Sequence, residues 1–202
     1  KLGLDTVGIA PIGPYEELRK ILQDKADKNL ITGMEEDNIK KRINPKLIME
    51  DAKSIIVCAF PYYISEQYQS NISRYCYGQD YHLVIKNKLN NICEEIKSKD
   101  NNFKYEVFAD NGPLVDRYLA YLSGIGYYGI NNNIITDKYG SYVFIGYIVN
   151  NYELKPDNPI DKTCLKCNKC VNYCPGNALE GDYKMDPKKC VSFITQKKEE
   201  LT

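Results

Sequence analysis

The 202-residue chain has no tryptophan, a single histidine (His82) and three methionines, and its 27 basic residues are balanced by 27 acidic ones. With zero formal charge at pH 7 no global field draws it to a polyanion or a membrane surface, so such a partner has to be met by a local patch. Long apolar runs are missing as well. The least polar stretch, SIIVCAFPYYI at 54–64, falls well short of the roughly 20 residues that span a bilayer, and Pro61 interrupts it. The residues from Lys1 onward lack the basic, apolar and small-residue order of a secretory signal, so we expect a trimmed N-terminus, no membrane partner and a cytoplasmic protein.

Eight cysteines are present, but not as a disulfide framework. Cys58, Cys76 and Cys93 stand singly among tyrosines and aliphatic residues, whereas Cys164, Cys167, Cys170, Cys174 and Cys190 crowd one end. That clustering points to a metal site in a reducing compartment.

The rest of the chain alternates between two periodicities. Residues 6–10 read as a short strand ended by Pro11, and residues 15–27 as a helix carrying Leu18, Ile21, Leu22 and Ala26 on one face. The stretch 35–42 is partly helical. Residues 54–60 form a β-branched apolar run that suits a strand buried on both faces. A long helix is predicted over 81–97 and a strand over 103–109. A further helix is expected to open with Pro113 at its first position and to end at Gly124 and Gly126. Residues 134–136 and 142–149 read as the two strands of a hairpin turning at 137–140. This pattern predicts an α/β layered domain over 1–150, a proline-containing linker at 151–160 and a small cysteine-rich domain over 161–202.

The cysteine run C-x-x-C-x-x-C-x-x-x-C-P, from Cys164 to Pro175, has the spacing of bacterial ferredoxins. Three closely spaced thiolates wrap one cluster, and the cysteine before proline turns to a second. A zinc site is the competing interpretation, but zinc knuckles place a long loop between two pairs. Two [4Fe-4S] clusters need more thiolates than Cys164, Cys167 and Cys170 for the first and Cys174 with Cys190 for the second. Cys58, Cys76 and Cys93 suit small buried positions better. We therefore expect the natural chain to continue past Thr202 with another cysteine motif, which makes the ferredoxin-type domain here a truncated one.

Several ordered stretches resemble the epoxyqueuosine reductase family: LDTVGIA at 4–10, KRINP at 41–45 with AKSIIV at 52–57, SRY at 73–75 with YGQDYH at 77–82, DNGP at 110–113, GIGYYGIN at 124–131, GS at 140–141 with FIG at 144–146, and the cysteine run with Cys190. The resemblance implies an α/β cobalamin-binding domain like that of reductive dehalogenases, followed by a two-cluster ferredoxin domain. It further implies an oxidoreductase of queuosine biosynthesis that reduces an epoxide on a modified tRNA base to an alkene, with Asp110 as proton donor and electrons from a reductant or donor protein. Asp110 also leaves a predicted strand just before a predicted helix, where open α/β sheets hold ligands, although Asp-Asn-Gly-Pro is equally a turn composition. Arg74, Tyr75, Arg117, Asn131 and Asn132 are the expected cobalamin contacts, with His82 as a wall of the pocket. Two departures flank this site: Ile130 stands where the family usually has lysine, and Asn111-Gly112 replaces its usual Ser-Ala.

Two alternatives remain at this point, a related corrinoid reductase of a small molecule and a non-catalytic dicluster electron-transfer protein. For the tRNA reading, tyrosines would stack the bases of an anticodon loop, and Lys40, Lys41, Lys188, Lys189, Lys197 and Lys198 would supply a phosphate-binding patch.

Overall fold

The computed structural model describes residues 4, 6–63 and 72–196. Strand β1 (Thr6–Ala10) leads into helix α1 (Glu16–Asp27), the short helix α2 (Ile39–Ile43) and strand β2 (Ser54–Pro61). Helix α3 (Tyr81–Lys97), strand β3 (Tyr105–Ala109) and helix α4 (Asp116–Leu122) come after it. Next are strands β4 (Tyr127–Tyr128), β5 (Ile134–Ile135) and β6 (Val143–Asn150). The cysteine-rich segment holds α5 (Lys169–Asn172), β7 (Leu179–Gly181), β8 (Lys184–Met185) and α6 (Val191–Ile194). No helix among the described residues is long and apolar enough to cross a membrane.

Four strands form the central sheet in the order β1-β2-β6-β3, with every neighbouring pair antiparallel. β2 and β6 occupy the middle and are apolar on both faces, as the run at 54–60 predicts. Side chains alternate along a strand, so Ile55, Val57 and Ala59 point to one layer, where they pack with Leu18 and Leu22 of α1 and Leu119 and Ala120 of α4. Cys58 and Phe60 point to the other, where Ile85, Leu89 and Cys93 of α3 cover them. The result is an α/β fold with helices on both sides of the sheet. At the crossing of α3 over β6 the close packing requires a glycine: a β-carbon on Gly146 would stand 2.7 Å from Ile85 Cγ2 and 2.9 Å from Leu89 Cδ1.

Cys58 and Cys93 are fully buried in this core, and burial pushes both thiols up to about 12. Both are apolar fillers, as their surroundings in the sequence suggest, whereas Cys76 is exposed, against the expectation of a buried position.

Two expectations need correction. Residues 134–136 and 142–149 do not form a hairpin with each other. Ile134–Ile135 pairs instead with Tyr127–Tyr128, and β6 is drawn into the sheet centre by an eight-residue register with β2 and a second partner in β3. Only a single bridge, Thr136 to Gly140, remains of the predicted turn. Nor does Pro113 open a helix. Its segment is spent wrapping the buried Tyr147, whose hydroxyl oxygen accepts the Leu114 N–H at 3.3 Å, and α4 begins at Asp116.

Residues 151–160 contain no helix or strand. They are nonetheless fastened to the edge strand β1: the Ile9 N–H donates to Asp157 Oδ2 at 2.8 Å, and the Asp157 N–H donates back to the Ile9 carbonyl at 2.9 Å.

Candidate active site

Asp110 is the first residue after β3 and holds a left-handed backbone, φ +62°. Aspartate tolerates this region better than most side chains, but it is an uncommon conformation outside glycine. It turns the carboxylate toward the start of α3. There the Tyr81 hydroxyl donates a short hydrogen bond to Asp110 Oδ2, and His82 Nε2 lies 3.3 Å from the same oxygen. The other ring nitrogen, His82 Nδ1, lies 2.7 Å from Asp80 Oδ1, and that oxygen also caps α3 by accepting the His82 N–H at 2.9 Å. The only histidine thus bridges two carboxylates. The Tyr81 ring is fixed between Phe144, stacked at 4.0 Å and 3°, and His82, stacked at 4.0 Å and 28°. Burial and the neighbouring Asp110 charge both raise the Tyr81 hydroxyl above its ordinary value, keeping it a donor.

Tyr81 and Asp110 line a cleft of about 380 Å³, together with Asp116 and Arg117 from the first turn of α4, Phe144 of β6 and Ser192 of α6. That volume lies within the range of small-molecule sites. Ser192 stands two residues after Cys190, so the cysteine-rich segment reaches the same cleft as Asp110. Asp116 is unusual: its Oδ1 is buried without a hydrogen-bond partner. Burial first, and the Asp110 charge second, push its carboxyl well above the usual carboxylate range.

Arg117 donates a short hydrogen bond to the Asn132 carbonyl, joining two of the expected contacts. Asn132 has φ +59°, and its side-chain nitrogen Nδ2 is buried with no acceptor. An amide donor left open beside a cleft fits the carbonyl-rich rim of a corrinoid. Asn131 behaves differently from the expectation, because its Oδ1 is taken up within its own loop by the Asn133 N–H at 3.1 Å. Tyr75 reaches the site indirectly, its ring centroid 6.5 Å from that of Phe144. Arg74 is farther out, with its guanidinium 4.7 Å over the Tyr63 ring. The Ile130 side chain is buried, only 2% exposed, so this departure from the family does not line the cleft.

In the cysteine-rich segment, the Ala178 N–H donates to Cys174 Sγ at 3.3 Å. Backbone N–H groups of Leu179 first, then Ala178, Gly176 and Asn177, hold this thiol below its ordinary value. A ring of inward amides is the setting in which a thiolate ligates an iron–sulfur cluster, so the donor chemistry fits. Among the described residues no three His, Cys, Asp or Glu side chains converge closely enough to hold a single metal ion. Of the anticipated basic patch, Lys41 stands 3.9 Å from Glu36 and Lys189 stands 3.4 Å from Asp186, while Lys197 and Lys198 lie outside the described residues.

Sequence reading gave no role to Asp80, Tyr81 or Asp116. Asp80 carries the local signal of a helix cap, but the bond from Tyr81 to Asp110 spans 29 positions and has none.

Residues 42–111 match the family model described as epoxyqueuosine reductase QueG, DUF1730, and residues 163–202 match the 4Fe-4S double cluster binding domain. An epoxyqueuosine reductase of Bacillus anthracis is 37% identical over 207 residues, covering 98% of this chain and 54% of the relative. A crystal structure of epoxyqueuosine reductase with an epoxyqueuosine-modified tRNA-Tyr stem loop superposes with a TM-score of 0.92 at 33% identity, over 100% of this chain and 56% of that one. The Bacillus subtilis enzyme, in a structure whose catalytic aspartate loop is swung out of the active site, gives 0.90 at 32%, again over 100% and 56%. The chain spans about half the length of the curated relatives it matches. With these matches running over nearly the whole of its length, the chain belongs to the epoxyqueuosine reductase family.

Proposed function

We propose that this chain performs the reduction of epoxyqueuosine to queuosine in tRNA, as an oxidoreductase working in the cytoplasm, where its thiols stay reduced. The observation that carries this reading is the Asp110 carboxyl, held at the end of β3 by Tyr81 and His82 in a cleft that the cysteine-rich segment also reaches. A relative solved with a modified tRNA stem loop, and another whose catalytic aspartate loop is swung out of its active site, support the substrate and the role of Asp110.

The reduction consumes two electrons and two protons, breaks both epoxide C–O bonds, forms the alkene and releases the oxygen as water. Asp110 provides a proton to the departing oxygen. Its carboxylate is reloaded through His82, whose Nε2 faces Asp110 while its Nδ1 faces the exposed Asp80. The hydroxyl of Tyr81 fixes the carboxylate's orientation. Arg117 and the open Nδ2 of Asn132 would hold the rim of cobalamin, with the aromatic group of Phe144 and Tyr75 alongside. When bound, cobalamin supplies a strongly nucleophilic cobalt centre for attack on the epoxide carbon. Cys164, Cys167 and Cys170 would hold one [4Fe-4S] cluster and Cys174 with Cys190 part of a second, fed by a low-potential electron-donor protein.

The test is turnover of a synthetic anticodon stem loop carrying epoxyqueuosine by the protein loaded with iron, sulfide and cobalamin under strong reductant. The expected product is lighter by one oxygen. Asp110→Ala is expected to keep its iron and cobalt yet abolish turnover. No product from the native protein, or an active Asp110→Ala variant, overturns the reading.

A further inference from the structure

Two protons leave with the oxygen in each turnover, yet Asp110 carries only one at a time. We infer that Asp116 stores the second proton: it is a neutral carboxylic acid at the floor of the cleft that passes its proton to Asp110 within the turnover. This rests on the epoxide-reductase reading of the cleft.

The first observation is geometric. Asp116 lines the same cleft as Asp110 and Tyr81, while its Oδ1 is sealed from solvent and meets no donor. An ionised oxygen in that position would be left without hydrogen bonds in a low-dielectric pocket, and a buried charge without a partner is strongly disfavoured. A protonated carboxyl avoids that cost. The second observation is the charge around it. The groups facing Asp116 are Asp110 from the end of β3, Arg117 from its own helix and the Tyr147 hydroxyl from β6. The Asp110 charge opposes a negative charge on Asp116, whereas Arg117 and the backbone N–H groups of Asp116 and Asp110 favour one, and Asp116 in turn keeps the Tyr147 hydroxyl neutral. A carboxyl kept neutral by burial beside a second carboxyl is placed to hold a proton for it.

The supply route adds a reason for internal storage. His82 reloads Asp110 from Asp80, which is exposed, so that route depends on exchange with bulk solvent. Asp116 lines the cleft itself, and a proton held there is available without that exchange. After Asp110 has protonated the oxygen, Asp116 gives its proton to the Asp110 carboxylate, and Arg117 offsets the charge left on Asp116. Both C–O bonds are then broken and the C=C bond formed. The two electrons come from an iron–sulfur one-electron donor, and water carries off the protons first held by Asp110 and Asp116. Asp116 acts through Asp110 and is a positioning residue in this scheme, not one that touches substrate.

The test uses two readouts on the native protein and the isosteric Asp116→Asn variant. Infrared difference spectroscopy is expected to show a protonated carboxyl at pH 7 in the native protein that is missing from the variant. Absence of that band overturns the inference without reference to activity. In single turnover on the epoxyqueuosine stem loop, Asp116→Asn is expected to slow product formation roughly 100-fold, at the lower end of what a proton-transferring group contributes. It should also lose the alkaline fall of the native rate, and Asp116→Glu should restore part of the rate. A purely structural role would leave the pH profile unchanged, and that result, or a native rate in Asp116→Asn, overturns the inference. If the native protein shows the band but no turnover, it is the epoxide reading that fails, and with it the destination of the proton.

Discussion

Gly112 stands in the loop two residues after Asp110, and the structure leaves no room for a side chain there. A β-carbon there would lie 2.8 Å from Tyr147 Cζ and 2.9 Å from Phe108 Cβ, and closer still to the Tyr147 hydroxyl. Neither ring can yield. Tyr147 is fully buried and stacks on Phe108 with centroids 5.0 Å apart, and its hydroxyl is engaged by the Leu114 N–H. Gly112→Ala is therefore an overpacking substitution expected to cost about 1–3 kcal/mol. Tyr147→Phe strands the Leu114 N–H and is expected to cost about 1–3 kcal/mol by itself. In the double variant the methyl occupies space vacated by the hydroxyl, so the two costs should fall short of their sum by at least about 1 kcal/mol, within the range for residues in contact. Urea unfolding of the native protein, both single variants and the double variant, monitored by circular dichroism, gives the four free energies. Costs that add to within about 0.3 kcal/mol would refute the claim that the Tyr147 hydroxyl is what excludes a side chain at 112.

Hydrogen bonding and burial set two further outcomes. Because the Asp116 carboxyl is held above the usual carboxylate range by burial, the folded chain retains a proton that the unfolded chain releases above about pH 4. That contribution to stability is full below the unfolded value and is lost as pH rises toward the folded one. Urea midpoints measured at several pH values should therefore show a steeper decline for the native protein than for Asp116→Asn, and parallel curves would contradict the buried neutral acid. Asp157→Ala removes the acceptor for the Ile9 N–H at the sheet edge and should cost about 1 kcal/mol. It should also speed proteolysis within 151–160, and an unchanged cleavage rate would show that this contact does not fasten the segment.

What the sequence reveals here depends on how far apart the cooperating residues lie. The strand at 54–60 and the helix at 81–97 are legible because their apolar spacing is a local property, and both occupy the expected places. The cysteine run is legible for the same reason, since ligand spacing is written in consecutive residues. The hairpin expected around 137–140 fails because turn residues mark a reversal without saying which strands pair. The apolar length of β6 makes it a central strand with partners in β2 and β3 instead. Asp110 stands out through a family resemblance and its place after a strand, but Tyr81, which orients it, and Asp116, which lies beside it, do not. Their relation to Asp110 exists only once α3 and α4 have packed on opposite sides of the sheet.

The breaches of ordinary folding rules are unevenly distributed. Within the two core layers, propensity, burial and side-chain alternation agree. Among the described residues, eight non-glycine residues have positive φ: Asn29, Asp110, Asn132 and five between Lys166 and Tyr183. Asp110 and Asn132 are on or beside the cleft. Also among the described residues, the two buried side-chain polar atoms without a partner, Asp116 Oδ1 and Asn132 Nδ2, belong to the same neighbourhood. Such conformations and open valences each cost of order 1–3 kcal/mol and persist only where surrounding structure holds them. Of the five in the cysteine-rich segment, Asn177 falls within 176–179, where successive backbone amides converge on the Cys174 thiol. One region thus turns its backbone to stabilise sulfur anions, while the other leaves an acid and an amide unsatisfied beside a carboxylate. Neither arrangement would be retained for stability alone, and Ser192 brings the two regions to the edge of a single cleft.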